Sequence, residues 1–425
     1  MDENDNGVME VISKEGTKSE KLGGNEDEKC SIDSASALQS YFNSIPISSF
    51  PNLMNSHVME VQANDLVRDA IQKLYQKNAS VALITDPSAV KPDTNVVSNA
   101  MLSDRYIGII SFASMVLWCI QELRAVDPYH IKVDPKNKSL DGFFSRLDQD
   151  PRIKQSKVAD LAKLFLWDPF FPVHLEEDTF FHVLLLLSKH RLQVVPVIER
   201  PKSRVIGLIS QNAVMKMLLQ SEGLEWFDII ANSALSEFRF ETKDSACQVY
   251  GDQSVSEALS VLSEKRVAAV AVIHRNTREL LGTVRETDIS LLLDNAALFK
   301  DIKKTTLKEF IKMNSNEYND DNPINSENED PLRIKTKSIS RMDSPVFHNE
   351  TDILKKVMAK MTETNSKTSF LVDATRCVVG MITLRDIIVE FAPPCVDSTF
   401  DGGGFFESVL QQSGCRVDHG TVVCD

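Results

Sequence analysis

Long apolar runs are missing from the chain. The longest, Phe180–Leu187, is interrupted by His182 and falls well short of the ~20 residues of a membrane-spanning helix, so no membrane association is expected. Cysteine is sparse and scattered: the seven positions (30, 119, 247, 377, 395, 415 and 424) contain no C-x-x-C, which speaks against a disulfide framework or a zinc knuckle and for reduced thiols. The eight histidines form no H-x-x-x-H and no cluster with carboxylates, so no metal is expected. A phosphate-binding glycine loop is also lacking, since Gly402–Gly404 stands alone with no following Lys-Ser/Thr. With no nucleophile–base constellation either, catalysis is not expected. The N-terminus opens on Asp2, Glu3 and Asp5 without an apolar segment, which points to a cytoplasmic or nuclear address.

What is present begins with an adequate core, 42% of 425 residues being apolar. The formal charge of −14 is unevenly placed. Residues 1–30 hold nine acidic against four basic side chains, residues 313–330 six against none, and residues 391–425 five against one. The remaining 342 residues carry about +1, so the acid lies in tails and a linker, and nucleic acid is not an expected partner.

Internal self-similarity organises the rest. Phe180–Leu219, Val255–Leu293 and Ile353–Phe391 share one layout: an amphipathic helix, a short apolar strand, a turn, a second strand reaching glycine, and another helix. The distance from the first apolar helix residue to the glycine (207, 282, 380) is 27 in each. A further copy runs from Val67 to Gly108 over 41 residues, the excess fitting a hairpin insertion around Pro87–Asp104. Ser254 and Glu257 form a capping-box pair, and Thr351 or Asp352 is expected to cap the first helix of the last copy. The glycines at 108, 207, 282 and 380 are spaced 99, 75 and 98 apart, which groups copies 1 with 2 and 3 with 4. Units of this size are marginal alone, so pairing buries the faces each leaves open.

At the strand-to-helix junction the last copy reads Gly380-Met-Ile-Thr383-Leu-Arg-Asp386. With the fourfold repetition, this resembles cystathionine-β-synthase (CBS) repeats. The stretches SIPISSFP (44–51), FFSRL (143–147), LWDPFFPV (166–173) and ITLRDII (382–388) are similar in order to the plant relatives of the γ regulatory subunit of the AMP-activated kinase group. The expected fold is therefore α+β: four CBS repeats as two paired (Bateman) modules in a pseudosymmetric disc, with disordered acidic tails. The expected division is a tail 1–40, repeats at 41–120, 161–225, 226–298 and 341–392, inserts at 121–160 and 299–340, and a flexible tail 393–425. The resemblance implies a non-catalytic subunit that binds AMP, ADP or ATP between paired repeats and docks onto an α-type kinase subunit and a β-type scaffold. A ligand-independent adaptor with degenerate repeats is the alternative.

A nucleotide needs acceptors for the ribose hydroxyls and donors or positive charge for the phosphate. A carboxylate at a strand-to-helix turn meets the first need, and Asp386 and Asp288 occupy that position, where the first two copies have Ser114 and Ala213. Three residues earlier stand Ser111, Ser210, Arg285 and Thr383. Ser210 and Thr383 are candidate phosphate donors, and Arg285 offers bidentate pairing instead. Arg191 and Arg266 recur eleven residues after the helix start, where the last copy has Thr364. The last copy also has Lys367 and Thr368 where the kinase-γ family often has a His-Arg pair. Structural readings of the same residues stand beside these: a capping box at Thr383–Asp386, a local Arg285–Asp288 pair on the surface, and helix C-terminal arginines at 191 and 266.

Overall fold

In the computed structural model the described residues are 39–51, 53, 58–88, 105–125, 142–164, 166–190, 192–199, 204–238, 240, 247–313, 332–335, 341–392, 415–418 and 421–424. Each repeat folds as a small sheet with two helices against one face. Unit 1 comprises β1 (Glu60–Gln62), α1 (Val67–Lys77), β2 (Val81–Thr85), β3 (Tyr106–Ser111) and α2 (Phe112–Ala125), with β4 (Trp167–Asp168) added beside β3. Unit 2 comprises β5 (Val173–His174), α3 (Phe180–Lys189), β6 (Val194–Glu199), β7 (Arg204–Ser210) and α4 (Gln211–Leu219). Unit 3 comprises β8 (Gln248–Tyr250), α5 (Val255–Lys265), β9 (Ala269–Ile273), β10 (Leu280–Arg285) and a 3-10 turn, Glu286–Ile289, leading into α6 (Ser290–Asp294). Unit 4 comprises β11 (Phe347–Asn349), α7 (Leu354–Glu363), β12 (Thr368–Val372), β13 (Val378–Thr383) and α8 (Leu384–Phe391). A hairpin of β14 (Cys415–Asp418) and β15 (Thr421–Cys424) stands apart in sequence.

In every unit the first strand pairs parallel with the second, and the second antiparallel with the third. The register also slips once in each antiparallel pair, always beside the repeat glycine: Gly108 faces Ile84, Gly207 faces Val197, Gly282 faces Val272 and Gly380 faces Leu371. The repeat glycine thus marks a β-bulge that recurs at one structural position in all four units. At Gly108 and Gly282 the missing Cβ is needed for close approach. A Cβ there would lie 2.8 Å from the Trp167 ring and 2.6 Å from the Met342 carbonyl oxygen, respectively. At Gly380 the nearest atom would be the Leu371 Cδ1, at 3.2 Å.

The apolar strands are covered on both faces, as their unbroken hydrophobicity predicts; β9 and β12 are buried at every residue. Sheet packs on sheet between units 1 and 2, through Val81, Leu83, Tyr106 and Ile109 against Val194, Ile198, Val205 and Leu208. Units 3 and 4 do the same through Ala271, Ile273 and Leu280 against Phe370, Val372 and Met381. Helices pack units 1 and 3 into one core and units 2 and 4 into another. The four units therefore close a ring, each touching its module partner through its sheet and a unit of the other module through its helices. A side chain such as Leu83, fully buried in the first seam, contributes about 2 kcal/mol.

Within each module the two units exchange their leading segments. Pro46, ahead of unit 1, bridges to Thr179 of unit 2, and Lys157, ahead of unit 2, bridges back to Leu66 of unit 1. Ala234 likewise bridges to Ile353, and Thr306 to Ser254. These bridges meet the residue that opens the first helix of each unit, so neither partner completes that corner alone.

The Ser254–Glu257 capping box forms, with the Glu257 N–H donating to Ser254 Oγ (3.3 Å) and the Ser254 N–H to Glu257 Oε2 (2.8 Å). The expected cap from Thr351 or Asp352 does not form. The residue preceding α7 is Ile353, while the Asp352 carboxylate accepts the Asn349 N–H at 2.9 Å and Lys356 Nζ at 2.7 Å. Those two donors hold its carboxylate below the usual range against the opposing effect of burial.

Candidate functional site

The strand-to-helix junction is built alike in units 1, 2 and 4, because the residue ending the third strand caps the helix after it. Ser111 Oγ accepts the Ser114 N–H (3.0 Å), Ser210 Oγ the Ala213 N–H (3.2 Å), and Thr383 Oγ1 the Asp386 N–H (3.3 Å). Asp386 Oδ2 in return accepts the N–H and hydroxyl of Thr383, at 2.8 and 2.7 Å. Unit 3 departs. Arg285 has no hydroxyl to offer, so its side chain folds back and donates from Nε and Nη2 to Asp288 Oδ2 and Oδ1, at 3.0 and 2.8 Å. Its backbone N–H keeps the reciprocal half of the box, donating to Asp288 Oδ2 at 2.8 Å. Both residues are buried, at 8% and 6% exposure. The local pair foreseen on the surface is an interior ion pair.

Arg266 closes α5 in the left-handed conformation (φ 51°) and donates from Nη2 to the Leu164 carbonyl at 3.0 Å. It is exposed and reaches a segment preceding unit 2. Arg191 lies outside the described residues.

A cleft opens between units 3 and 4, enclosing about 580 Å³ with the solvent at its mouth. Ala268, Ala269, Val346 and Phe370 supply apolar wall, while Thr283, Ser366 and Thr368 supply hydroxyls. The charged lining residues are Arg285, Glu286, Arg333 and Lys367. Thr283 Oγ1 donates to the Val270 carbonyl and Ser366 Oγ accepts from Thr364 Oγ1. Thr368 is buried at 6% exposure and its Oγ1 has no hydrogen-bond partner, the kind of group a ligand satisfies at little cost.

Lys367 sits where three units meet. Its Nζ donates to Glu286 of unit 3 at 2.6 Å and to Gln193 Oε1 of unit 2 at 3.4 Å. The Gln193 N–H points to Asp168 Oδ2 at 3.4 Å. Burial pushes the Asp168 carboxyl above its ordinary range, and Glu286 adds to this, while the Gln193 N–H and Lys367 oppose it.

Of the residues singled out in the sequence, the cleft therefore gathers Arg285, Lys367 and Thr368. Asp288 reaches it only through Arg285, and Thr383, Asp386, Ser210 and Arg266 are not among its lining. Sequence reasoning passed over Arg333, Ser366 and Glu286. Arg333 had one signal, being the first cation after the acidic run that ends at Asp330. Among the described residues no His/Cys/Asp/Glu group has metal-binding geometry, and no helix is long and apolar enough to cross a membrane.

The family model described as "CBS domain" matches residues 247–295 and 337–392, which cover units 3 and 4. Units 3 and 4 thus match the CBS domain. Over a wider span it resembles the "SNF1-related protein kinase regulatory subunit gamma-1" of Arabidopsis thaliana, with 26% identity over 91% of this chain and 90% of the relative. The Arabidopsis protein named "SNF1-related protein kinase regulatory subunit gamma-1-like" is 24% identical over 64% of this chain and 72% of its own length. Among solved structures, a Methanocaldococcus jannaschii protein put forward as an archaeal homolog of γ-AMPK aligns over 82% of this chain and 100% of its own, with a TM-score of 0.50. At 13% identity that likeness speaks for the CBS architecture alone. The resemblance read from the sequence motifs thus holds at both levels, CBS repeats and kinase γ subunits, and the relatives are named regulatory subunits.

Proposed function

We propose that this CBS-domain chain is a non-catalytic, γ-type regulatory subunit of a plant energy-sensing serine/threonine kinase complex, and that it binds an adenine nucleotide in the cleft between units 3 and 4. The observation that carries the ligand half is Thr368: a buried residue whose hydroxyl has no partner, in the lining of an apolar-walled cleft that also includes Arg333 and Lys367. Phe370, Val346, Ala268 and Ala269 suit a base, and the cations suit a phosphate. The kinase half is supported by the near full-length likeness to the Arabidopsis regulatory subunit. Partners of the α-type catalytic and β-type scaffold classes belong to this reading, as does a cytoplasmic or nuclear location.

The test of the kinase half is affinity purification of the full chain from plant cells with identification of what co-elutes. A catalytic kinase subunit and a scaffold subunit in stoichiometric amounts are expected; their absence counts against the reading. A second reading, the ligand-independent adaptor, draws on the closure of Arg285 onto Asp288 and of Asp386 onto Thr383, which occupies carboxylate oxygens that a ribose would otherwise use. Co-elution with the kinase together with blindness to nucleotide favours it.

A further inference from the structure

The segment Leu332–Lys335 belongs to no repeat, yet it lies along unit 1. The Ser80 N–H and hydroxyl both donate to the Leu332 carbonyl at 2.8 Å, and Arg333 forms a β-bridge with Ala79. Asn78 Nδ2 donates to the Lys335 carbonyl (3.0 Å), and the Lys335 N–H returns to Asn78 Oδ1 (2.8 Å). Lys335 Nζ then ties the segment to unit 3 through Asp294 Oδ1 at 2.7 Å, and to unit 1 through the Tyr75 hydroxyl at 3.2 Å. A strip stitched to units 1 and 3 in this way nevertheless contributes Arg333 to the lining of the cleft between units 3 and 4.

The charges around that cleft are unequal in their commitments. Arg285 is spent on Asp288, and Lys367 on Glu286. Arg333 is exposed, and among the described residues its guanidinium makes no hydrogen bond or ion pair. Recruiting Arg285 or Lys367 to an anion would mean breaking an existing pair, whereas recruiting Arg333 breaks none. Its planar fork also matches a phosphate bidentately. The unpartnered Thr368 hydroxyl in the same cleft is a second group awaiting an oxygen ligand.

We propose that Arg333, delivered from outside the four repeats, is the phosphate-binding residue of the cleft, and that a nucleoside phosphate held there fastens units 3 and 4 to unit 1 through the strip 332–335. This rests on the nucleotide reading above. It adds a residue and a consequence: ligand binding in one module is felt in the other, because the strip that presents Arg333 is hydrogen-bonded to Asn78 and Ser80.

The test is isothermal titration of the full-length chain with AMP and, separately, with adenosine, using the wild type, Arg333→Ala and Arg333→Lys. Arg333→Ala is expected to weaken AMP about tenfold while leaving adenosine unchanged, with Arg333→Lys recovering part of the loss. Unchanged AMP affinity in Arg333→Ala, or equal losses for AMP and adenosine, overturns the assignment while the nucleotide reading stands. A wild type that binds neither ligand removes the nucleotide reading, and this inference with it. As a second readout, amide hydrogen exchange at Ser80, Ile334 and Lys335 is expected to slow on adding AMP to the wild type but not to Arg333→Ala. Equal exchange with and without AMP in a wild type that binds it refutes the fastening.

Discussion

Arg285 grips both carboxylate oxygens of Asp288, at 3.0 and 2.8 Å, inside the junction where the other units place a hydroxyl-bearing cap. Arginine stands where they have serine or threonine, and a buried ion pair takes the place of the hydroxyl cap. Removing one member strands the other. Asp288→Ala is expected to lower unfolding stability by about 3–5 kcal/mol, and the double replacement Arg285→Met with Asp288→Leu by much less, since no charge is then left behind. Chemical denaturation of the three proteins measures this, and a loss under about 1 kcal/mol for the single variant would mean that Arg285 escapes to water.

The repeat glycines are not equivalent. Gly282→Ala sets a methyl group against the Met342 backbone oxygen, which cannot step aside, and is expected to cost about 1–3 kcal/mol. Gly380→Ala meets only the movable end of Leu371 and is expected to cost less. Melting temperatures of the two variants decide it; equal shifts would contradict the close approach at Gly282.

Asp386 completes a capping box with Thr383, so Asp386→Ala is expected to reduce stability by about 1 kcal/mol. Because Asp386 does not line the cleft between units 3 and 4, AMP affinity there is expected to be unchanged. A selective loss of AMP binding at wild-type stability would instead place Asp386 on the ligand.

His348 is buried, with Nδ1 2.8 Å from Ser369 Oγ. Burial holds its pKa below the ordinary histidine value; Lys356 and Lys360 act in the same direction, and Asp352 opposes them. Below about pH 6.5 the unfolded chain takes up a proton that the folded chain refuses, so stability falls as the medium is acidified from there toward the folded pKa. The slope from one such group is at most about 1.4 kcal/mol per pH unit. His190, lowered by burial and by Arg385 beside it, adds a slope of the same sign. His348→Gln is expected to flatten the decline between pH 6.5 and 5 in urea unfolding, and an unaltered slope would contradict the assignment.

Much of this was legible in the sequence because repetition multiplies weak signals. The 27-residue spacing shared by three copies located the repeat glycine, which the structure shows beside a bulge in all four sheets, and the alternating glycine gaps gave the pairing of 1 with 2 and 3 with 4. What was hidden is contact between units. The ring closure through α2 against α5 and α4 against α8 leaves no periodic trace, since buried helix faces look alike whatever covers them. The exchanged leading segments were invisible for the same reason. At the site, the junction motif offered both a ligand role and local pairing for Thr383–Asp386 and Arg285–Asp288; the pairing forms in both, and what the sequence did not carry is that the second pair is buried. Arg333 escaped notice because it lies outside the repeating pattern, and only the three-dimensional path of its strip carries it to the cleft.

Whether the cleft between units 3 and 4 holds an adenine nucleotide is decided by calorimetric titration of AMP into the full-length wild type beside Thr368→Val. Saturable binding to the wild type is expected, and clearly weaker binding to the variant, whose fold is undisturbed because the lost hydroxyl had no partner to lose. No heat of binding to the wild type at millimolar AMP, or identical affinities in the two proteins, would contradict it.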